Sequence, residues 1–191
     1  MKFKQLNITG FKSFNEKTTF LIEDGLTGIV GPNGCGKSNI VESLRWCMGE
    51  NSAKSMRGSG MEDVIFSGTS NRPSKNISEV TLLLDNLNKE GPAQYKEFDE
   101  VSIRRKIEKD KGSKYYINDK EVRARDVQTL FADLSTGAHS PSLISQGRIG
   151  QLVTSKPIDR KSILEEAAGI SGIHARRQEA ETRLNAAENN L

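Results

Sequence analysis

The feature that most constrains this chain is a glycine-rich segment, GPNGCGKS, at residues 31–38. It matches the pattern G-x-x-x-x-G-K-[ST], in which main-chain N–H groups and the N-terminus of a helix surround phosphate oxygens. A short apolar run, 26–30, precedes it. Apolar residues then recur at helical spacing: Ile40, Val41, Leu44, Cys47 and Met48. We therefore predict a buried strand, a phosphate-binding loop and a helix, in that order.

The residue types in this loop predict a bound nucleotide. Lys37 would place a positive charge between the β- and γ-phosphates, and the Ser38 hydroxyl would bind Mg²⁺. Asn33 and Asn39 are expected to flank the phosphates. The predicted nucleotide-binding residues of the loop are Pro32, Asn33, Gly34, Cys35, Gly36, Lys37, Ser38 and Asn39.

Composition excludes some classes of protein. Hydrophobic residues make up 35% of the 191 residues, and no apolar run approaches the roughly 18 residues that span a membrane. The start, MKFKQLNITGF, lacks the apolar core of a signal peptide. Two cysteines, one of them inside the loop, do not make a disulfide framework and favour a reducing cytoplasm.

Patterning predicts two parts of the chain. Strands are expected near 2–9, 17–22, 26–30, 64–66, 77–85, 99–107, 114–117 and 143–144, with a helix at 125–134. After Pro157 the chain has no proline, and the 4-3-4 spacing of Ala180, Leu184, Ala187 and Leu191 is typical of a coiled-coil seam. We place the boundary between a globular part, 1–156, and a helix, 157–191.

Positive charge is concentrated in one window. Residues 101–125 carry nine basic and four acidic side chains, whereas the whole chain has a net charge of only +3. Such a window is either a solvated hairpin or a surface that faces nucleic-acid phosphates.

Six blocks of sequence resemble one family. They are GFKSF (10–14), GPNGCGKSNIVESLRWCMGE (31–50), SAKSMRG (52–58), MEDVIFSGT (61–69), SLISQGRI (142–149) and RKSILEEAAGI (160–170). The family is the SMC (structural maintenance of chromosomes) proteins, in particular the bacterial chromosome-condensing form. The resemblance implies an α/β fold, half of a P-loop ABC-type ATPase head, with a mixed sheet and a flanking antiparallel strand layer. The half-head would lead into a coiled-coil helix.

The resemblance also implies roles for individual residues. Gln146 would contact Mg²⁺ or the attacking water, and Arg57 would approach the phosphates. Lys12 and Ser13 would border the nucleotide. Lys120, Arg123 and Arg125 would contact DNA phosphates without sequence specificity.

The implied partners are this protein's own C-terminal head half, a second SMC head in a homodimer, a kleisin subunit and double-stranded DNA, in the nucleoid of the cytoplasm. The ATPase signature motif and the catalytic acid would lie in the C-terminal half. Two segments resemble these motifs but are incomplete. VTLLLD (80–85) resembles the strand that ends in the catalytic acids, but Asn86 follows where a glutamate is needed, and LSTG (134–137) resembles the signature motif but lacks its second glycine. We therefore expect no hydrolysis by this chain alone. Two alternatives stay open, a split-head ATPase of DNA repair or recombination and a nucleotide-switched DNA-binding module that does not hydrolyse.

Overall fold

A computed structural model describes residues 1–89, 91–134, 150, 153–168, 177, 180–182, 184–185 and 187–188. The chain divides into two compact units, 1–127 and 128–191. The first unit contains the phosphate loop. The functional boundary at 156/157 stays a prediction.

The first unit is built on a six-stranded sheet in which all neighbouring strands are antiparallel. Its spatial order is β2-β1-β3-β4-β5-β6. The strands are β1 (Lys2–Thr9), β2 (Thr18–Leu21), β3 (Ile77–Asp85), β4 (Glu100–Glu108), β5 (Gly112–Ile117) and β6 (Lys120–Val122). This sheet is the antiparallel strand layer of the prediction. The parallel pairs that a mixed sheet requires are not found within the described residues.

The two central strands bury alternate residues, as a half-buried sheet requires. Val80, Leu82 and Leu84 of β3 are buried, and the buried face of β4 carries Val101, Ile103, Arg105 and Ile107. Arg105 is the exception in this apolar row. Arg105 lies within the basic window of residues 101–125, but its 2% exposure removes it from any surface that faces nucleic acid.

Helix α1 (Lys37–Cys47) contacts β3 and β4. Trp46 at its end is fully buried, with its ring 5.5 Å from that of Phe11. The predicted apolar face is wrong at Val41, which is 37% exposed. Glu42 and Ser43 are buried instead. The face of the helix that the sheet covers does not include Val41, and an ion pair with Lys12 accommodates the buried Glu42.

Two predicted strands are absent from the described structure. Residues 26–30 have no regular secondary structure and are exposed, and residues 61–64 form a 3₁₀ turn, after which Ile65 makes only an isolated bridge to Phe11. Strand β6 was not predicted, since three residues are too short to show alternation. The predicted strand 143–144 lies outside the described residues.

The remaining helices agree with the predictions in where they begin, but the helix expected over 157–191 ends at Ala167 and is followed by a turn at residue 168. Helix α2 (Ala124–Asp133) matches the helix expected at 125–134, and helix α3 (Pro157–Ala167) begins at the predicted proline. Of the predicted seam, Ala180, Leu184 and Ala187 are helical and exposed. Their pairing in a coiled coil stays a prediction. No helix in the described part of the chain is both long and apolar enough to cross a membrane.

Candidate nucleotide site

The phosphate loop has the backbone geometry that an anion cradle needs. Gly34 and Gly36 have φ values of 82° and 95°, in the left-handed region that favours glycine. A Cβ atom on Gly36 would lie 2.7 Å from the Ser13 hydroxyl oxygen, so the close approach also requires glycine there. Pro32, Asn33 and Cys35 are exposed on the loop.

The N-terminus of α1 is open to an anion. Its N-cap, Gly36, contributes no side-chain hydrogen bond, and the first turn contains no acidic residue. The helix start therefore keeps its partial positive charge, although the Asn39 N–H already donates to the Gly36 carbonyl at 2.9 Å. Ser38 is exposed in the same turn. The loop and helix thus fit a phosphate group.

Lys37 lies across the mouth of this loop. Its Nζ donates hydrogen bonds to the carbonyl oxygens of Gly31 at 2.5 Å and Pro32 at 2.6 Å, and is 3.7 Å from the Cys35 sulfur. The ammonium group therefore already occupies the loop that would hold the phosphates.

Three of the other predicted residues meet beside α1. Ser13 Oγ accepts a hydrogen bond from Asn39 Nδ2 at 2.9 Å, and Asn39 Oδ1 accepts one from Arg57 Nη2 at 2.9 Å. Lys12 and Arg57 both form ion pairs with the carboxylate of Glu42. The structure thus brings Lys12, Ser13, Asn39 and Arg57 together. Glu42, which links Lys12 to Arg57, is a residue that the sequence analysis missed. A single acid among the small and apolar residues of the predicted helix was the available signal.

The predicted magnesium ligands are described only in part. Ser38 is in place, whereas Gln146 lies outside the described residues. In the described ranges, no group of three or more His, Cys, Asp or Glu side chains could hold a metal ion. A Mg²⁺ ion at Ser38 would therefore need ligands beyond the described side chains, such as phosphate oxygens and the predicted Gln146.

The segment that resembles a catalytic strand has a different role. Asp85, at the end of β3, accepts a hydrogen bond from the main-chain N–H of Leu87 at 2.8 Å. The buried Asn86 side chain donates to the carbonyls of Tyr95 and Phe98. Both residues stabilise the turn after a plain strand. Most of the segment 134–137 lies outside the described residues.

A buried arginine fixes the far end of α1. Arg105 Nη1 donates to the carbonyls of Trp46 at 2.8 Å and Glu50 at 2.6 Å, and its guanidinium lies between the rings of Trp46 and Tyr115. Burial lowers the pKa of Arg105 and raises that of Tyr115 to about 12. Arg105 thus caps the helix C-terminus with a cation, which the helix dipole favours.

The three predicted DNA-binding residues lie close together in sequence, at the edge of the sheet. Lys120 is in β6, Arg123 precedes α2 and Arg125 is in its first turn. All three are exposed, and none forms an ion pair with another described residue. We call Lys120, Arg123 and Arg125 the edge patch. Elsewhere in the basic window, charges are partly neutralised, as by the pairs Arg104–Asp119 and Lys114–Glu121.

The comparisons with known proteins agree with this geometry. The family model for the RecF/RecN/SMC N terminal domain matches residues 2–147. The chromosome partition protein Smc of Cereibacter sphaeroides is 58% identical over all 191 residues, and that of Myxococcus xanthus is 48% identical over 193 aligned residues. The chain spans only 17% and 16% of the length of these two curated relatives.

Several solved SMC head structures have the same fold. A crystal structure of the SmcHead bound to the C-winged helix domain of ScpA gives a TM-score of 0.82 at 31% identity, covering 90% of this chain and 52% of that one. A Pyrococcus furiosus Smc head with an extended coiled coil, bound to the C-terminal domain of ScpA, gives 0.81 at 30% identity, covering 99% and 47%. The chain therefore belongs to the RecF/RecN/SMC N-terminal domain family, as the N-terminal half of the head of a bacterial SMC protein.

Proposed function

We propose that this chain is the ATP-binding half of an SMC head, which hydrolyses ATP only together with the C-terminal half. The observation that carries the proposal is the phosphate loop with its open helix start. ATP and Mg²⁺ are the ligands that the loop pattern favours. When bound, they would supply the phosphoryl group and the charge that polarises it.

The apolar run before the loop supports a split head. Leu26 is 97% exposed and Val30 is 94% exposed, although their sequence predicts a buried strand. A strand needs neighbours that pair with its main chain and cover its apolar side chains. Since no described strand pairs with residues 26–30, we infer that strands of the C-terminal half complete the sheet there.

Each residue of the site would then have a defined task. Lys37 would exchange its two carbonyl partners for β- and γ-phosphate oxygens, and Ser38 would bind Mg²⁺ with Gln146. Arg57 would neutralise charge on the phosphates. Lys12 and Ser13 would border the nucleotide from the first hairpin. The loop residues 32–39 would surround its phosphates, with the main-chain N–H groups supplied by residues 33–38.

The proposed assembly has three further partners. One related structure bears the description "ATP-driven dimerization and DNA stimulated activation of SMC ATPases", with a TM-score of 0.74 at 30% identity. Two others are bound to ScpA domains. We therefore propose that two such heads dimerise on ATP and bind a kleisin and DNA. In the nucleoid, this cycle would drive DNA-loop capture, chromosome condensation and segregation.

An ATPase assay with the separated halves tests the split site. We expect no hydrolysis by residues 1–191, and slow turnover, stimulated by DNA, when the C-terminal half is added. Lys37→Ala is the control for contaminating ATPases, because it removes the ammonium group from the loop. Lys37-dependent hydrolysis by residues 1–191 alone would refute the split site. ATP binding without turnover in the completed head would favour the non-hydrolysing module instead.

A salt titration tests the DNA surface. Changing all three residues of the edge patch to Glu should weaken binding of the completed head to unrelated duplexes equally. The slope of log K against log salt should flatten by about 0.9 for each lost phosphate contact. A matched triple Glu variant at exposed lysines outside the patch, Lys17, Lys75 and Lys96, controls for net charge. If both triple variants behave alike, the edge patch is not the DNA surface.

A further inference from the structure

The carboxylate of Glu42 lies at the centre of a charged cluster beside the phosphate loop. Its side chain is only 10% exposed. One oxygen, Oε2, accepts from Lys12 Nζ, and the other, Oε1, accepts from Arg57 Nε. Lys12 also donates to the carbonyl of Met56, the residue before Arg57. Both carboxylate oxygens are therefore engaged by cations from two different segments.

The position of Glu42 on α1 links this cluster to the phosphates. Glu42 is four residues after Ser38, so the two side chains lie on the same face of the helix one turn apart. Asn39, in the first turn, accepts a hydrogen bond from Arg57 Nη2 at 2.9 Å. Arg57 is thus held at two points along the first two turns of α1, through Nε by Glu42 and through Nη2 by Asn39.

The backbone conformations of Lys12 and Arg57 indicate that the surrounding structure holds both residues in place. Lys12 and Arg57 have φ values of 47° and 54°, a left-handed conformation that residues other than glycine adopt uncommonly. Such conformations persist where the surroundings determine them, and they concentrate at functional sites. Six non-glycine residues in the described ranges have a positive φ, and two of them, Lys12 and Arg57, are the partners of Glu42.

We propose that Glu42 is a positioning residue, which holds the guanidinium of Arg57 so that its remaining N–H groups face the phosphate loop. The inference rests on the proposed function, since it assumes that the loop binds ATP. Arg57 Nη1 donates no hydrogen bond to any other residue in the described ranges. It is the group that Glu42 and Asn39 leave available for a phosphate oxygen, in a planar fork of fixed geometry.

The charge balance explains why a carboxylate is needed. The Arg57 side chain is 58% exposed, so water competes for it, and Lys12 repels it. Without the charge of Glu42, Arg57 would leave α1 for solvent. Glu42 does not itself abstract a proton, because both of its oxygens are occupied by cations.

A double-mutant cycle in the head completed with the C-terminal half tests the proposal. Glu42→Gln should lower kcat about tenfold while KM for ATP changes less than about threefold, since positioning matters most where charge develops. In an Arg57→Ala background, the same change should alter kcat less than about twofold, because Glu42 acts through Arg57. Glu16→Gln, at an exposed acid near the first hairpin, should leave kcat unchanged. Equal effects of Glu42→Gln in both backgrounds would overturn the proposal.

A second measurement does not depend on turnover. In the nucleotide-free completed head labelled with ¹⁵N-arginine, the Nε–H resonance of Arg57, assigned by its loss in Arg57→Lys, should be resolved and protected from exchange. Glu42→Gln should return it to the position of a solvated arginine, and Glu16→Gln should not. A resonance that does not respond to Glu42→Gln would overturn the proposal. If Glu42→Gln does not fold, Glu42→Asp replaces it, because aspartate keeps the charge but is too short to reach both cations. An unchanged kcat in Glu42→Asp would also overturn the proposal.

These experiments distinguish failure of the positioning role of Glu42 from failure of the proposed nucleotide site. If ATP binding by the completed head is unaffected by Lys37→Ala, the nucleotide site itself is wrong. If Lys37-dependent binding and turnover are present but the coupling between Glu42 and Arg57 is absent, only the positioning role of Glu42 is wrong.

Discussion

Replacing Arg105 with Met should destabilise the first unit, because it removes the cation that holds the C-terminus of α1. The buried guanidinium donates to two main-chain carbonyls, those of Trp46 and Glu50, and contacts two aromatic rings at 4.4 and 4.6 Å. Methionine fills a similar volume but donates no hydrogen bond. Its effect therefore isolates the polar contribution of the arginine.

The magnitude follows from opposing effects. Each carbonyl left unpaired in the interior costs about 1–3 kcal/mol, and each desolvated cation–π contact contributes about 1–2 kcal/mol. Against this, methionine avoids the burial of a charge, a cost reflected in the lowered pKa of Arg105 and in its unpartnered Nε. We expect a net loss of about 3 kcal/mol, at the lower end of the effect of breaking a buried charge network.

The assay is urea unfolding monitored by fluorescence and by far-UV circular dichroism. Trp46 is the only tryptophan in the chain and lies against Arg105, so its fluorescence reports on the site and the circular dichroism on the unit as a whole. The matched control is Arg104→Met. Arg104 is adjacent in β4 but faces the other side of the sheet, with surface partners Glu79 and Asp119, and its loss should cost less than about 1 kcal/mol. A stability within about 0.5 kcal/mol of the parent, or above it, in Arg105→Met would refute the reasoning, since that change is the size of an ordinary surface substitution.

Three further outcomes follow from local geometry. A maleimide should label the exposed Cys35 before the buried Cys47, whose pKa burial raises to about 12, and Mg-ATP should protect Cys35 in the completed head; mass spectrometry that finds Cys47 labelled first, or no protection, would contradict the site. The pKa of Asp63 is lowered by main-chain N–H and hydroxyl groups of its own turn, so its contribution to stability should be present above its unfolded pKa of about 3.9 and be lost as the pH falls through the lower folded value; a carboxyl ¹³C titration with a midpoint at or above 3.9 would contradict this. Gly10→Ala should cost about 2 kcal/mol or more, because its φ is 63° and a Cβ there would lie 2.3 Å from a carbonyl oxygen of β3; urea unfolding should show no such loss for Gly28→Ala, where a Cβ meets no atom within 4 Å.

Patterns that repeat within a few residues were enough for much of the fold. Alternation of apolar side chains predicted β3 and β4 nearly to the residue, since both faces of a strand are decided by neighbours in sequence. The loop pattern predicted where α1 begins. The resemblance of six sequence blocks predicted the family, which the family model and the relatives confirm.

The predictions failed where a distant partner decides the structure. Residues 26–30 have the composition of a buried strand, but a strand forms only where another strand pairs with it, and no described strand does. For a similar reason Val41, which was predicted on the apolar face of α1, is exposed, whereas Glu42 is buried. The burial of Glu42 depends on Lys12 and Arg57, which lie 30 and 15 residues away in the chain.

The sequence by itself determined the phosphate loop, the strand and helix periodicities and the family, because each depends on residue types at short, regular spacing. The tertiary structure alone decided which charges are buried. Arg105 continues the alternation of β4 and looks like one more member of a basic window, yet it lies between two aromatic rings at the end of α1. Glu42 likewise looks like a solvated helix residue, yet it holds the two cations beside the loop. A charge is stable in the interior only where partners from distant segments converge on it, and that convergence is a property of the folded chain.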